Sequence, residues 1–320
     1  MPYASLWELA WASQCGGSYW VVHPLPVAVG GDSEKNAVTN LELMQAAARL
    51  HLLTGERRYA DQAQQIWDWL AAAPLRDADG LLGDGLTGTA GFQSDCCNGT
   101  APVAWKPRCM RNGVPSYTYN QGLFVGGAKL MYRITGDYSY IDEAQRTLRA
   151  VLHRMTARGV LREPLEGTLE ALAVTCDANH DPAGGDLYSF KGVFMLQLAD
   201  FLQGVPLDSA LRAQLVGLVA RSSDAAWGLR NEPPWSTSQL DVCADPSLAR
   251  LLSGPPKFPW YWVYVGRPNA TPARRVCMDA RTQISALSLF AAHFLVAGEA
   301  AGSEAFDQRA ASGDELSILL

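Results

Sequence analysis

The chain has 320 residues, of which 48% are hydrophobic and 18% are charged, and its formal net charge at pH 7 is −6. This length and apolar share allow one large domain or two small ones with a sizeable core. The negative charge argues against a nucleic acid partner, since phosphate binding needs a basic surface. No apolar run approaches the length of a membrane span, and the N-terminus lacks the basic-then-apolar pattern of a signal peptide.

The first clear elements along the chain form a helical hairpin. The segment from Asn40 to Thr54 has apolar side chains at helical spacing, and Gly55 is placed to end that helix. The segment from Arg58 to Ala73 has the same period and predicts the return helix. An earlier stretch, from Leu6 to Trp11, also has the pattern of a helix.

The hairpin occurs again 81 residues later, counted from Thr54 to Thr135. The ten residues that begin at these threonines share Thr, Gly, Tyr, Asp and Ala, and an acidic residue follows each glycine. We therefore predict a second hairpin with helices at 120–135 and 138–158. Helix–turn–helix units repeated at a long period indicate a fold of stacked helical hairpins.

Helical periodicity returns twice more towards the C-terminus. The segments from Leu187 to Leu202 and from Asp208 to Trp227 predict a third pair of helices. The segment from Asp279 to Ala297 predicts a last helix. One face of that helix carries large apolar residues and alanine: Ile284, Leu287, Phe290, Ala291 and Phe294. We expect one domain over residues 1–298 and a flexible tail over residues 299–320.

Long loops separate these hairpins, at 75–116 and 159–186, and loops of such length inside a domain are usually functional. No segment alternates with a period of two over several strands, so the chain is predicted to be all-α. Short turns at one end of the hairpins and long loops at the other are typical of an α/α toroid.

Polar residues precede the first helix of each hairpin, and Asp84-Gly85 lies in the first long loop. The three groups are 35–40, 117–122 and 186–192. Asn, Asp, Ser and Thr are common N-caps, which would explain any one group. Three groups at equivalent positions, with additional Tyr, Gln and Lys, favour a shared ligand cleft. The Gly16-Gly17 pair before Trp20 allows a close backbone approach to a ligand, or it simply forms a turn.

In order and spacing, these segments resemble family 76 of the glycoside hydrolases, which contains endo-α-1,6-mannanases and related fungal wall proteins. The resemblance covers about residues 6–297. The matching segments are 16–20, Lys35-Asn36-Ala37 with Asn40, 47–55, Asp84-Gly85, 117–122, 190–192, and Gln283-x-Ser285-Ala286. It implies an (α/α)6 toroid, a cleft for α-1,6-mannan, and a secreted or wall-associated full-length protein. The substrate contacts that it implies are Trp20, Asn36, Asn40, Asp84, Tyr119, Asn120, Gln121, Asp186 and Lys191.

The resemblance also implies catalysis by two adjacent aspartates in an earlier hairpin, with retention of anomeric configuration. Glycoside hydrolysis needs two carboxyl groups, and this chain contains no two consecutive aspartates. We therefore expect a toroid that is incomplete at its N-terminus. Asp84 and Asp186 are the remaining acidic candidates, and we expect them to bind sugar hydroxyls. A non-catalytic glycan-binding or wall protein, or an inactive fragment, is the alternative.

The seven cysteines lie mostly in loop-like sequence, and two N-x-[ST] sequons begin at Asn98 and Asn269. Both features favour an oxidising compartment, and the odd number leaves at least one cysteine outside an intrachain disulfide. The sequence leaves the pairing open. Because the chain has no C-x-x-C pair and only five histidines, we predict neither a metal site nor a cofactor.

Overall fold

The computed structural model describes residues 16–18, 35–87, 109–164, 166, 187, 189–229 and 280–312; in the last segment, side chains are described for 282–298. The chain divides into two compact units, Met1–Thr156 and Ala157–Leu320. No helix within the described ranges is long and apolar enough to cross a membrane.

The first unit is built from two helical hairpins. Its helices are α1 (Ala37–Thr54), α2 (Arg57–Ala72), α3 (Thr118–Thr135) and α4 (Ser139–Arg154). Both predicted hairpins are confirmed. Helix α4 ends before its predicted limit because the chain leaves the helical conformation at Met155, with φ −114° and ψ 26°. Arg158 and Gly159 then turn the chain with positive φ angles of 54° and 76°.

The repeated sequence phrase forms the same turn twice. Gly55 and Gly136 follow their helices with φ angles of 72° and 74°, the left-handed conformation that favours glycine. In each copy the threonine hydroxyl donates to the carbonyl four residues earlier, at 2.8 Å for Thr54 and 2.9 Å for Thr135. It also accepts a hydrogen bond from the amide two residues later, at 3.2 and 3.1 Å.

The tyrosine of the second phrase shows how the hairpins stack. Tyr140 is buried against the first hairpin, where its ring meets Trp67 edge-on at 4.8 Å and its hydroxyl donates to Gln64 at 2.6 Å. Trp67 also stacks on Phe124 of the second hairpin at 5.0 Å. The core of this unit therefore joins α2 of the first hairpin to both α3 and α4 of the second.

A small antiparallel sheet lies at the opposite end of these hairpins and was missed by the all-α prediction. Its strands are β1 (Lys35–Asn36), β2 (Gly85–Thr87) and β3 (Met110–Arg111), in the order β1-β2-β3. Lys35 pairs with Leu86, and Leu86 pairs with Arg111. Strands of two or three residues are too short to leave a periodic pattern, so the unit is mostly helical with one local sheet.

The first part of the long loop is well packed. Leu75 and Leu82 are fully buried, and Asp77 accepts hydrogen bonds from the amides of residues 79, 80 and 81. Two residues of α4 also hold this loop. Arg154 contacts the Asp77 carboxylate at 2.5 Å, and the Thr147 hydroxyl donates to the Gly80 carbonyl at 2.9 Å. The loop thus has a defined path towards residue 84.

The second unit contains α5 (Phe190–Leu202), α6 (Ser209–Gly228) and α7 (Ala280–Ser312). Two short strands, β4 (Thr156–Ala157) and β5 (Val160–Leu161), pair where the chain leaves the first unit. Helix α5 packs on α7, and α6 contacts both α7 and β5. The Leu161 amide donates to the Ser222 hydroxyl of α6 at 3.2 Å.

Helix α7 differs from its prediction in two ways. It continues to Ser312, so the predicted tail is helical as far as that residue. Its large apolar residues are also exposed, Phe294 at 79% and Leu287 at 69%. The buried face instead carries Leu289 and Val296 together with smaller residues such as Ser285 and Ala286. The small residues lie where α5 approaches closely: a Cβ added to Gly192 would lie 2.7 Å from the Ser285 Cα.

Candidate functional site

The loop that carries Asp84 passes between the first turns of α1 and α3. The Asp84 carbonyl accepts from the Ala37 amide at 2.7 Å, and the next carbonyl, of Gly85, accepts from the Asn112 amide at 2.9 Å. The β1-β2-β3 sheet continues directly from these contacts. Asp84 is therefore placed by backbone hydrogen bonds on both sides, where the polar residues of the two hairpins meet.

The Asp84 carboxylate is the centre of a small polar cluster. The Tyr119 hydroxyl donates to Oδ1 at 3.0 Å and the Asn120 side-chain amide donates to the same oxygen at 3.3 Å. No donor among the described residues reaches Oδ2, and Asp84 is partly exposed. Burial and the neighbouring Asp84 charge raise the pKa of Tyr119, so its hydroxyl remains a donor. The cluster presents one carboxylate oxygen that can accept a hydrogen bond from a ligand.

Two aromatic rings lie beside this carboxylate. Tyr117 and Tyr119 stack with their centroids 6.2 Å apart and their planes 30° apart, and both are partly exposed. Stacked, partly exposed aromatic rings next to a hydrogen-bonding group suit a ligand with one apolar and one polar face, such as a pyranose ring.

Arg111 is a further member of the site that the sequence analysis missed. Its guanidinium donates to the Ser116 hydroxyl at 3.0 Å and covers Gly83, where an added Cβ would lie 2.5 Å from the arginine Nε. The side chain therefore lies against the residue before Asp84. A single arginine in an aperiodic loop carries no signal in one sequence, and only the β2–β3 pairing places it here.

The buried amide of Asn40 holds the loop before α1. Its Oδ1 accepts from the Ser18 amide at 2.7 Å, and its Nδ2 donates to the Ser18 carbonyl at 3.1 Å. The same nitrogen donates to the carbonyl of Asn36 at 2.9 Å. Asn36 is the N-cap of α1, and its side chain accepts from the Thr39 amide at 3.2 Å.

Gln121 makes the corresponding contacts at the start of α3. Its Oε1 accepts from the Leu82 amide at 2.9 Å, and its Nε2 donates to the Leu82 carbonyl at 2.9 Å and to the Tyr117 carbonyl at 3.0 Å. Gln121 is fully buried. It therefore attaches the loop two residues before Asp84 to the helix that carries Tyr119 and Asn120.

Lys35 holds the Gly16-Gly17 turn by hydrogen bonds to its backbone. Its ammonium is buried and donates to the carbonyls of Gly16 and Gly17, the latter at 2.7 Å. Burial lowers the pKa of Lys35 to about 8. Gly17 has a φ of 72°, and a Cβ there would lie 2.6 Å from the Trp69 ring. The turn thus depends on both glycines and on the lysine beneath it.

The second unit has its own polar group, centred on Lys191. Lys191 and Glu166 form a fully buried ion pair. The other carboxylate oxygen of Glu166, Oε2, has no hydrogen-bond partner among the described residues. Burial raises the pKa of Glu166, and Lys191 opposes that shift. The next residue, Gly192, donates its amide to the Ser285 hydroxyl at 3.0 Å, which brings together two segments 93 residues apart.

The structure thus brings six of the nine sequence-predicted contact residues into the first unit. Asp84 and Tyr119 are partly exposed there, whereas the side chains of Asn36, Asn40, Asn120 and Gln121 are buried. Lys191 is buried in the second unit. Trp20 and Asp186 lie outside the described residues.

The sequence of this chain matches Glycosyl hydrolase family 76 over residues 4–241. The chain belongs to this family. It is 27% identical over 201 residues to a putative mannan endo-1,6-α-mannosidase of Schizosaccharomyces pombe, a match that covers 62% of the chain and 39% of that relative. It therefore spans well under two thirds of that relative's length.

Solved structures of the family show the same fold. An inactive variant of the α-1,6-mannanase GH76A of Salegentibacter sp. HEL1_6 in complex with α-1,6-mannotetrose has a TM-score of 0.59 at 19% identity, with 90% of this chain and 66% of that chain covered. Dfg5 from Chaetomium thermophilum in complex with glucosamine has a TM-score of 0.57 at 20% identity, with 88% and 56% covered. The family 76 enzymes are mostly helical like this chain, and the likeness establishes its fold.

Proposed function

We propose that this chain binds α-1,6-linked mannose oligosaccharides at the Asp84 cluster of its first unit and does not hydrolyse them. The observation that carries the proposal is the partly exposed Asp84 carboxylate, held between the two hairpins by Tyr119 and Asn120. We also propose that the hairpins of this chain are arranged as in an (α/α)6 toroid, the fold expected for its family.

The chemistry of the cluster suits a sugar. Asp84 Oδ1 already accepts two hydrogen bonds from α3, so Oδ2 is the oxygen available for a ligand hydroxyl. The Tyr117 and Tyr119 rings lie beside it and provide apolar surface for the face of a mannose ring. The buried amides of Asn40, Asn120 and Gln121 support this surface without being part of it.

Binding without turnover follows from the carboxyl groups that hydrolysis requires. One carboxyl must protonate the leaving oxygen, and a second must act as nucleophile or base. In the Salegentibacter mannanase, a variant with two consecutive aspartates replaced is inactive and holds α-1,6-mannotetrose. This chain has no consecutive aspartates, and the cluster offers Asp84 alone.

We also propose that the protein resides in an oxidising compartment, as a secreted or wall-associated protein. Cys109 is disulfide-bonded and directly precedes β3. Structural disulfides persist in oxidising compartments and are rare in the cytosol of mesophiles. Cys109 lies two residues before Arg111, beside the proposed binding face, which Asp84, Tyr117 and Tyr119 form.

Isothermal titration calorimetry with α-1,6-mannotetraose tests the proposal. We expect binding by the unmodified chain, and a loss of about tenfold in affinity for Asp84→Asn, about 1.4 kcal/mol, because the amide nitrogen no longer accepts a hydroxyl. Asp79→Asn is the matched control, since Asp79 lies in the same loop but is exposed and paired with Arg154. It should bind like the unmodified chain.

Two outcomes would contradict the proposal. Absence of binding at millimolar mannotetraose would reject the site. Release of reducing ends from α-1,6-mannan that persists through purification would reject the claim of no turnover, and its loss in Asp84→Asn would then assign a catalytic role to Asp84.

A further inference from the structure

The first helices of the two hairpins in the first unit correspond residue for residue. Helix α1 covers Ala37–Thr54 and α3 covers Thr118–Thr135, so both ends are offset by the same 81 residues as the repeated turn. Their N-caps are Asn36 and Tyr117. Under this offset, Asn40 and Gln121 occupy the same position, four residues after the N-cap.

The two amides make the same set of hydrogen bonds. Each accepts from the backbone amide of one loop residue and donates to the carbonyl of that same residue, Ser18 for Asn40 and Leu82 for Gln121. Each also donates to the carbonyl of its own N-cap residue. Each side-chain amide thus bonds the backbone N–H and C=O of one loop residue at once, and so attaches that loop to the start of its helix.

These contacts leave no donor for a ligand. A side-chain amide has two N–H groups and one carbonyl oxygen, and in both residues the two N–H groups are used and the side chain is fully buried. Neither amide can therefore donate to a sugar without releasing its loop. This argues against a direct substrate contact from Asn40 or Gln121 and for a role in holding the binding face.

We propose that Asn40 and Gln121 are paired positioning residues, each of which holds one loop of the binding face against the start of its helix. Gln121 has the more direct effect, since Leu82 lies two residues before Asp84 and Gln121 follows Asn120 in α3. A single helical turn thus carries both donors to the Asp84 carboxylate and the amide that places it. Asn40 holds Ser18, at the end of the Gly16-Gly17 turn that leads towards Trp20.

The start of α5 in the second unit does not carry this amide. Helix α5 has Ser189 as its N-cap, and the position four residues later is Val193, which cannot make such contacts. In that unit the ion pair between Lys191 and Glu166 attaches the preceding loop instead. Within the described residues, these amide contacts are thus found at the starts of α1 and α3, in the unit that holds Asp84.

Hydrogen–deuterium exchange with mass spectrometry tests this inference in the full chain, with isosteric variants. In Gln121→Met we expect exchange in residues 81–87 to rise at least tenfold while α3 remains protected. In Asn40→Leu we expect the same rise in residues 16–18 only. That these loops belong to a sugar-binding face rests on the proposed function, so the affinity for α-1,6-mannotetraose is measured in parallel. Gln121→Met should weaken this affinity about tenfold.

Gln45→Met is the control. Gln45 is also a buried amide, and it donates to the Leu123 carbonyl at 2.8 Å in the middle of the α1–α3 contact. Its loss should lower the thermal midpoint without a local change at residues 81–87 and without loss of affinity.

The two readouts separate the possible failures. Local exchange changes in a chain that does not bind mannotetraose would support the positioning role and reject the sugar-binding proposal. Unchanged exchange at residues 81–87 in Gln121→Met, or a uniform rise over the whole unit, would overturn the positioning role even if the sugar binds. If Gln121→Met does not fold, Gln121→Asn keeps the amide but shortens its reach, and the same local rise is expected.

Discussion

The two units attach the loops before their helices in different ways. In the first unit, neutral amides of Asn40 and Gln121 pair fully with single backbone residues. In the second unit, a buried ion pair joins Lys191 to Glu166 and leaves one carboxylate oxygen without a partner among the described residues. Burying a neutral amide costs little free energy when its hydrogen-bonding groups are paired. Removing one partner of a buried ion pair leaves the other charge buried without compensation. Replacing one of these amides should therefore lower the free energy of unfolding less than replacing one partner of the ion pair.

The largest expected effect comes from breaking the ion pair. Lys191→Met leaves the Glu166 carboxylate buried without its cation, and we expect a loss of about 3–5 kcal/mol in the free energy of unfolding at pH 7. The double variant Lys191→Met/Glu166→Leu removes both charges and should recover most of that loss. Urea denaturation of both variants measures the difference. Equal losses in the single and double variants would show that the two charges are not coupled.

A smaller effect is expected from Lys35, a buried cation of the first unit that donates to the carbonyls of Gly16 and Gly17. Its pKa is about 8 in the folded chain against 10.5 as the ordinary value. Between these pH values the unfolded chain binds the additional proton, so this lysine should make the folded state more stable as the pH rises. The expected gain is at most about 3 kcal/mol.

Denaturation curves from pH 7.5 to 10.5 for the unmodified chain and for Lys35→Met isolate this contribution. The difference between their unfolding free energies should increase with pH in favour of the unmodified chain. Parallel curves would contradict the assignment of a lowered pKa to Lys35.

The smallest effects should be the same in both units, at the turns. Gly55, Gly136 and Gly204 have φ angles of 72°, 74° and 72°, and a Cβ at any of them would meet no atom within 4 Å. Replacement by alanine should cost about 1 kcal/mol in each case, because the left-handed conformation alone opposes it. Thermal melts of the three variants should agree closely. A much larger loss at Gly204 would show that the units also differ at their turns.

Sequence reasoning was most successful where a local signal decides the structure. The glycines after α1 and α3 and the apolar spacing of the helices predicted both hairpins, because a helix and its cap depend on neighbouring residues. The placement of Asp84, Tyr119 and Asn120 in one group came from resemblance to family 76. Nothing in their spacing would have predicted the hydrogen bonds among them.

The missed features are contacts between segments distant in the chain. Arg111 reaches the site through pairing of β2 with β3, and Glu166 meets Lys191 across 25 residues. The exposed face of α7 was misleading for a related reason. Spacing shows which residues share a face, but the packing against α5 decides which face is buried, and at Ser285 that packing leaves room only for small residues.

The sequence by itself determined the repeated hairpins, the family and the absence of two consecutive aspartates, because these follow from residue identity and short-range order. Only the tertiary structure decided which polar side chains are exposed to a ligand and which are buried. Asn40 and Gln121 look like ligand contacts in the sequence, yet both are buried with every donor engaged. A polar side chain can satisfy its hydrogen bonds with a ligand or with a distant backbone segment, and only the path of that segment distinguishes the two.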